Sequence, residues 1–160
     1  MSRRDEVLTE MGLSPVWRLR SVEDVPEHIQ EPGGDTIQEM GWPQLKAKVA
    51  GCTDCKLRAG CTQTVFGVGD EKADWLLVGE APGSEEDRLG EPFVGQAGKL
   101  LDNMLAAVSL SRGQNVYIAN VLKCRPPGNR NPEPDEVAKC LPHLLRQIGL
   151  IQPKLILAMG

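Results

Sequence analysis

The sequence predicts an α/β domain: a parallel central sheet flanked by helices on both faces. Two observations carry that prediction. Three compact apolar runs, Ala73–Gly79, Val116–Leu122 and Lys154–Met159, have the length of buried strands rather than of helices. Two longer segments of helical period, Ala97–Val108 and Asp135–Ile148, lie between them. Strand and helix in alternation is how a chain builds parallel strands, since each crossover must return it to the starting end. In such sheets ligands bind beyond the carboxyl ends of the strands. Gly79-Glu80 and Asn120 stand at two such ends. The third run reaches the last residue, Gly160, so the sheet is expected to be incomplete at the C-terminus.

In chain order, residues 1–20 hold a helix candidate with Val7, Leu8 and Met11 on one face, broken at Gly12 and Pro15. Residues 21–40 carry two prolines, a Gly-Gly pair and many acids, which is linker composition. We therefore divide the chain into an acidic, partly flexible extension (1–40) and a domain (41–160). A short helix is expected over Trp42–Val49, before Gly51 and the first cysteine pair. The stretch from Glu80 to Gly95 reads as a loop. Leu100, Leu101, Met104, Leu105 and Val108 then mark the first long helix, and Pro134 opens the second.

The net charge of −4 resides in the extension, where four Lys/Arg face nine Asp/Glu, while the remainder carries fourteen against thirteen. A neutral domain neither requires nor forbids a nucleic-acid partner, because a local patch suffices. The apolar runs are far too short to span a bilayer, and no apolar run backs the charged start, so a membrane or secretory protein is not expected. The reading is a cytoplasmic monomer.

Five cysteines, Cys52, Cys55, Cys61, Cys124 and Cys140, point to metal binding or plain burial rather than to a disulfide framework. Cys52-x-x-Cys55 lets two thiolates point at one centre, and Cys124 and Cys140 could complete a four-thiolate site. Spacing alone leaves open an iron–sulfur cluster, a structural zinc, or isolated buried thiols. A redox pair of thioredoxin type fits less well, since no strand precedes the motif. Cys61 has no evident partner and reads as a surface or partly buried thiol.

Two glycine-rich stretches flank the expected loop: Gly79-Glu80-Ala81-Pro82-Gly83 and Gly90-Glu91-Pro92-Phe93-Val94-Gly95-Gln96-Ala97-Gly98. Neither matches a nucleotide fingerprint. Phe93 is either core or a stacking surface for a planar ligand. Asn120, at the end of an apolar strand, is either a turn residue or a reader whose one acceptor and two donors suit the edge of a pyrimidine.

Taken together, five blocks carry a resemblance. They are Cys52-Thr53-Asp54-Cys55-Lys56-Leu57; Val65-Phe66-Gly67-Val68-Gly69-Asp70; Gly79-Glu80-Ala81-Pro82-Gly83 with Glu86-Asp87; Gly90, Pro92-Phe93-Val94-Gly95, Ala97-Gly98 and Leu100-Leu101; and Asn120-Val121-Leu122-Lys123-Cys124-Arg125-Pro126-Pro127 with Asn129-Arg130. The chain from about residue 42 to its end resembles the family 4 uracil-DNA glycosylases. That resemblance implies a three-layer α/β/α fold and a structural [4Fe-4S] cluster held by Cys52, Cys55, Cys124 and Cys140. It implies an enzyme of base excision repair that hydrolyses the N-glycosidic bond of deoxyuridine flipped out of uracil-containing DNA. Phe93 would stack on the base and Asn120 would read its edge. Gly79, Glu80 and Ala81 would stand at the base and sugar, and Glu86 and Asn129 would support the pocket loops.

The chain departs from the family pattern twice. The family usually has Arg where this sequence has Cys61. The family also has a second catalytic motif with a His-Pro pair, whereas the histidines here are His28 and His143, neither followed by proline and both read as surface residues. The expectation is thus a C-terminally truncated glycosylase. The alternative is a catalytically inactive, cluster-containing DNA-binding remnant, and an unrelated zinc-stabilised α/β domain is a third reading.

Overall fold

The structure, a computed structural model, describes residues 36–159. The helix candidate in residues 1–20, nearly all of the acidic linker and His28 lie outside the described residues. The described residues belong to one compact unit.

That unit opens with a 3-10 turn at Ile37–Glu39 and helix α1 (Trp42–Ala50). A second 3-10 turn, Lys56–Ala59, leads to strand β1 (Val68–Gly69) and then β2 (Trp75–Gly79). Helices α2 (Ser84–Leu89) and α3 (Gln96–Ala107) precede β3 (Val116–Asn120). A 3-10 turn at Pro127–Asn129, helix α4 (Pro134–Ile151) and strand β4 (Leu155–Ala158) complete the order. The sheet runs β1-β3-β2-β4. β2 is parallel to both β3 and β4, as the alternation predicts, while β1 adds an antiparallel edge on β3. The sheet is therefore mixed, though its parallel part is the expected one.

The period of two along each strand divides the core into two layers. Leu76, Tyr117 and Ala119 face α4, where they pack with Leu144 and Ile151 and with Trp42 of α1. Leu77, Val116 and Ile118 face the other way, onto Leu101 and Leu105 of α3. Burying each such Leu or Ile stabilises the fold by about 1.5–3 kcal/mol. All five residues of β3 are buried, which fits a strand covered on both faces. β4 is different: Leu155, Ile156 and Leu157 remain 43–48% exposed.

α2 occupies part of the stretch read as loop. Its six residues, Ser84-Glu85-Glu86-Asp87-Arg88-Leu89, show no apolar stripe, and it is held by side-chain bonds instead. The buried Asp87 carboxylate accepts from the Thr62 N–H (2.9 Å) and the Thr62 hydroxyl (2.8 Å), tying α2 to the segment after the first cysteines. At α4, Pro134 occupies the first turn, where its missing N–H costs nothing. The carboxylate of Glu136 accepts the N–H of Glu133 (2.9 Å), satisfying one of the helix's free donors.

Candidate active site and thiol cluster

Backbone register brings the two expected strand ends together. Gly79 of β2 pairs directly with Asn120 of β3. The ladder continues past both strands, with Val121 N–H donating to Gly79 O (2.9 Å) and Leu122 N–H to Glu80 O (3.0 Å). The alternation that turns Leu77 and Ile118 toward α3 also turns Asn120 to that side, and Phe93, packed with that cluster, meets it there.

Gly79 is the close-approach point. A Cβ added there would sit 2.3 Å from Asn120 Oδ1 and 2.7 Å from two ring atoms of Phe93. Only glycine lets the amide and the ring converge on this backbone. Asn120 is 2% exposed, and its Oδ1 is sealed from solvent with no hydrogen-bond donor. Buried acceptors are nearly always paired, so an unpaired one at this strand end marks Asn120 as more than a turn residue. Glu80 is exposed and Ala81 half-buried on the loop that leaves β2.

Three groups hold this arrangement. Glu86 joins the two glycine-rich loops: its carboxylate accepts from the N–H groups of Gly83 (3.1 Å), Val94 (3.0 Å) and Gly95 (3.2 Å). Arg112, in the turn between α3 and β3, donates to the carbonyls of Pro92 (2.8 Å) and Phe93 and ion-pairs with Asp102 (2.5 Å). Lys123 is buried, and its Nζ donates to Asn120 O (2.8 Å) and Gln147 Oε1 (2.7 Å). Burial pulls the Lys123 ammonium down to about 8. Gln147 in turn donates to Phe66 O (2.9 Å). Asn129 belongs to a separate, exposed loop, where its Oδ1 accepts from Arg125 Nε (2.6 Å).

The thiols gather on the far side of Lys123. Cys124 and Cys140 are buried with Cys61 in one cluster, against which Cys55 and Ala81 pack. Cys55 packs there beside Cys124 and Cys140, which brings one cysteine of the first pair to the second. Burial raises the thiols of Cys52, Cys124 and Cys140, which disfavours free thiolates at this place. The main-chain N–H of Lys123 lies 3.2 Å from Cys140 Sγ, a donor suited to a liganding sulfur. Cys61, read as a thiol without a partner, is 8% exposed and stands beside Cys124 and Arg58.

His143 requires a correction. Read as a surface residue, it is fully buried, with neither ring nitrogen hydrogen-bonded. It lies on the buried face of α4 that also presents Glu136, Cys140 and Gln147. Burial lowers its pKa from the ordinary histidine value. Among the described residues, Cys52, Asp54 and His143 offer ligand atoms that all lie within 4.8 Å of one another. Sequence reasoning also passed over Lys123 and Arg112. Neither carries a sequence signal: lysine is almost never fully buried, so Lys123 reads as exposed, and Arg112 stands in a polar turn.

Among the described residues no helix is long and apolar enough to cross a membrane. The sequence profile of the uracil DNA glycosylase superfamily matches residues 66–160. A type-4 uracil-DNA glycosylase of Archaeoglobus fulgidus is 54% identical over 71% of this chain and 56% of its own length. Those of Sulfurisphaera tokodaii (49% identical; 73% of this chain, 53% of that protein) and Pyrobaculum aerophilum (45%; 76% and 61%) are similar. The chain thus spans a little over half the length of these curated relatives. The glycine-rich loops, the Asn120 strand end and the profile match agree: the chain belongs to the uracil DNA glycosylase superfamily.

Proposed function

We propose that this chain is a uracil-DNA glycosylase, hydrolysing the N-glycosidic bond of deoxyuridine that has left the DNA stack. The observation that carries the reading is the unpaired Asn120 Oδ1, buried beside Gly79 and Phe93. Unstacking a base costs about a few kcal/mol, which a fitted pocket must return. Phe93 stacks on the base. Asn120 Oδ1 accepts from uracil N3–H, and its amide N–H donates to O4. Cytosine offers a lone pair at N3 and an amino group at position 4, so both contacts are reversed. Gly79 leaves room for this edge. Glu80 and Ala81 flank the sugar, where water adds to C1′ as the bond to uracil N1 breaks and the base departs as an anion. Glu80 orients the water or the sugar. Glu86 keeps the surrounding loops in place, and Asn129 orders its own turn through Arg125.

Cys52, Cys55, Cys124 and Cys140 are proposed to hold a [4Fe-4S] cluster. The donor set fits: all four are sulfur ligands, and the Lys123 N–H supports one of them. When bound, the cluster supplies a covalent cross-link between the chain before β1 and the loop after β3.

The test is release of free uracil from oligonucleotides holding one uracil or one cytosine. We expect release from the uracil strand alone, and a loss of about 100-fold or more in Asn120→Ala, in line with losing a pre-aimed polar group. Folded, iron-loaded protein that releases no uracil would overturn the reading and leave a DNA-binding protein.

A further inference from the structure

We propose that Arg112 is a positioning residue that sets the Phe93 ring for base stacking. The inference rests on the function proposed above, which gives Phe93 its task. Phe93 has φ +54, a left-handed conformation that bulky residues rarely adopt. Such a conformation persists only where the surroundings determine it. Here the determination is visible. Arg112 Nη1 donates to Pro92 O at 2.8 Å, while Nη2 donates to Phe93 O and reaches Gly98 O at 3.5 Å. Its Nε is anchored to Asp102 of α3. The planar guanidinium serves two successive carbonyls from separate nitrogens while its Nε holds Asp102, a fixed fork that the single nitrogen of an ammonium does not reproduce.

The Phe93 carbonyl also lies close against Gly98 of α3. A Cβ on Gly98 would lie 1.7 Å from Phe93 O, so only glycine admits the carbonyl there. The main chain of Phe93 is thereby held by Arg112 and by its close approach to Gly98, and its ring is delivered to Gly79 and Asn120. Without Arg112 the Pro92 and Phe93 carbonyls lose their donors, φ relaxes toward the ordinary region, and the ring leaves Gly79. Arg112 is on a turn remote in sequence from Phe93 and is not expected to touch the base itself.

The sequence has two phenylalanines, and Phe66 packs against Trp42, well apart from Arg112 in its contacts. Protein labelled with ¹³C and ¹⁵N at phenylalanine alone therefore reports Phe93 with an internal control. In Arg112→Gln and Arg112→Lys we expect the left-handed chemical-shift signature of Phe93 to be lost and the Phe66 signals to stay. A second arm is a double-mutant cycle on uracil release. Arg112→Gln should lower kcat/KM by about 10–100-fold beside Phe93, as misplacements of order 1 Å do. In a Phe93→Ala background the same change should cost less than about twofold, because the two residues act as one unit. Unmoved Phe93 resonances in both variants, or equal losses in both backgrounds, would overturn the proposal. If the wild-type chain releases no uracil, the proposed function fails, and the Phe93 resonances still decide what Arg112 does.

Discussion

Gly79→Ala is the sharpest perturbation of the crevice, because one methyl group meets both of its recognition elements. The new Cβ would stand 2.3 Å from Asn120 Oδ1 and 2.7 Å from Cε2 and Cζ of Phe93. Ordinary contacts lie at about 3.5–4.0 Å, so the amide and the ring must each retreat by roughly 1 Å. Neither retreats freely, since Lys123 holds the Asn120 main chain and Arg112 holds that of Phe93. Overpacking of this kind costs about 1–3 kcal/mol of stability. A shift of about 1 Å in a recognition group costs about 100-fold in rate. Single-turnover uracil release and thermal unfolding would read the two effects separately. Gly149→Ala is the control: its Cβ meets only a far Arg146 nitrogen at 3.9 Å within α4, so it should gain about 0.5–1 kcal/mol and keep full activity. Uracil release by Gly79→Ala within twofold of wild type would refute the claim that Asn120 and Phe93 converge on this glycine.

Two further outcomes follow from buried polar groups. Asn120→Leu removes an unpaired buried acceptor, whose burial costs about 1–3 kcal/mol. Urea unfolding should show the free protein about 1 kcal/mol more stable while uracil release collapses; a loss of stability above about 1 kcal/mol would mean that the oxygen is already satisfied. At the start of α4, the Arg130 guanidinium holds the buried Glu136 carboxyl at about 2, with bonds of 2.6 and 2.9 Å. Since the folded value lies below the ordinary 4.5, this contribution is complete above about pH 4.5 and is lost as pH falls toward 2. Thermal unfolding between pH 6 and pH 3 should show that slope in the wild type and a weaker one in Arg130→Met. Equal slopes would place the acid sensitivity elsewhere.

Much of this fold was legible because its strands are apolar runs and its long helices carry apolar stripes. The parallel trio β2, β3 and β4 came directly from that alternation. β1 escaped because two residues, one of them glycine, make no pattern, and its partner strand alone defines it. α2 escaped because its six residues are mostly charged and are fixed by the bonds of Asp87 and Glu86 rather than by an apolar face. His143 was misread for a related reason. Glu136, Cys140, His143, Gln147 and Ile151 follow helical spacing, yet four of the five are not aliphatic, so the buried face of α4 looked like a solvated one. The meeting of Gly79 with Asn120 was suggested by strand ends, whereas the bonds of Lys123 to Gln147 and of Arg112 to Pro92 join segments distant in sequence.

Everything proposed for this crevice depends on Asn120 reading uracil beside Gly79 and Phe93. Calorimetric titration of the whole, iron-loaded chain with free uracil and free cytosine tests that recognition without requiring catalysis. Uracil should bind at least about tenfold more tightly than cytosine, as expected when a buried acceptor and donor are satisfied by one base and opposed by the other. Asn120→Ala should erase that preference. Equal binding of the two bases, or an undiminished preference in Asn120→Ala, would show that Asn120 does not read the base.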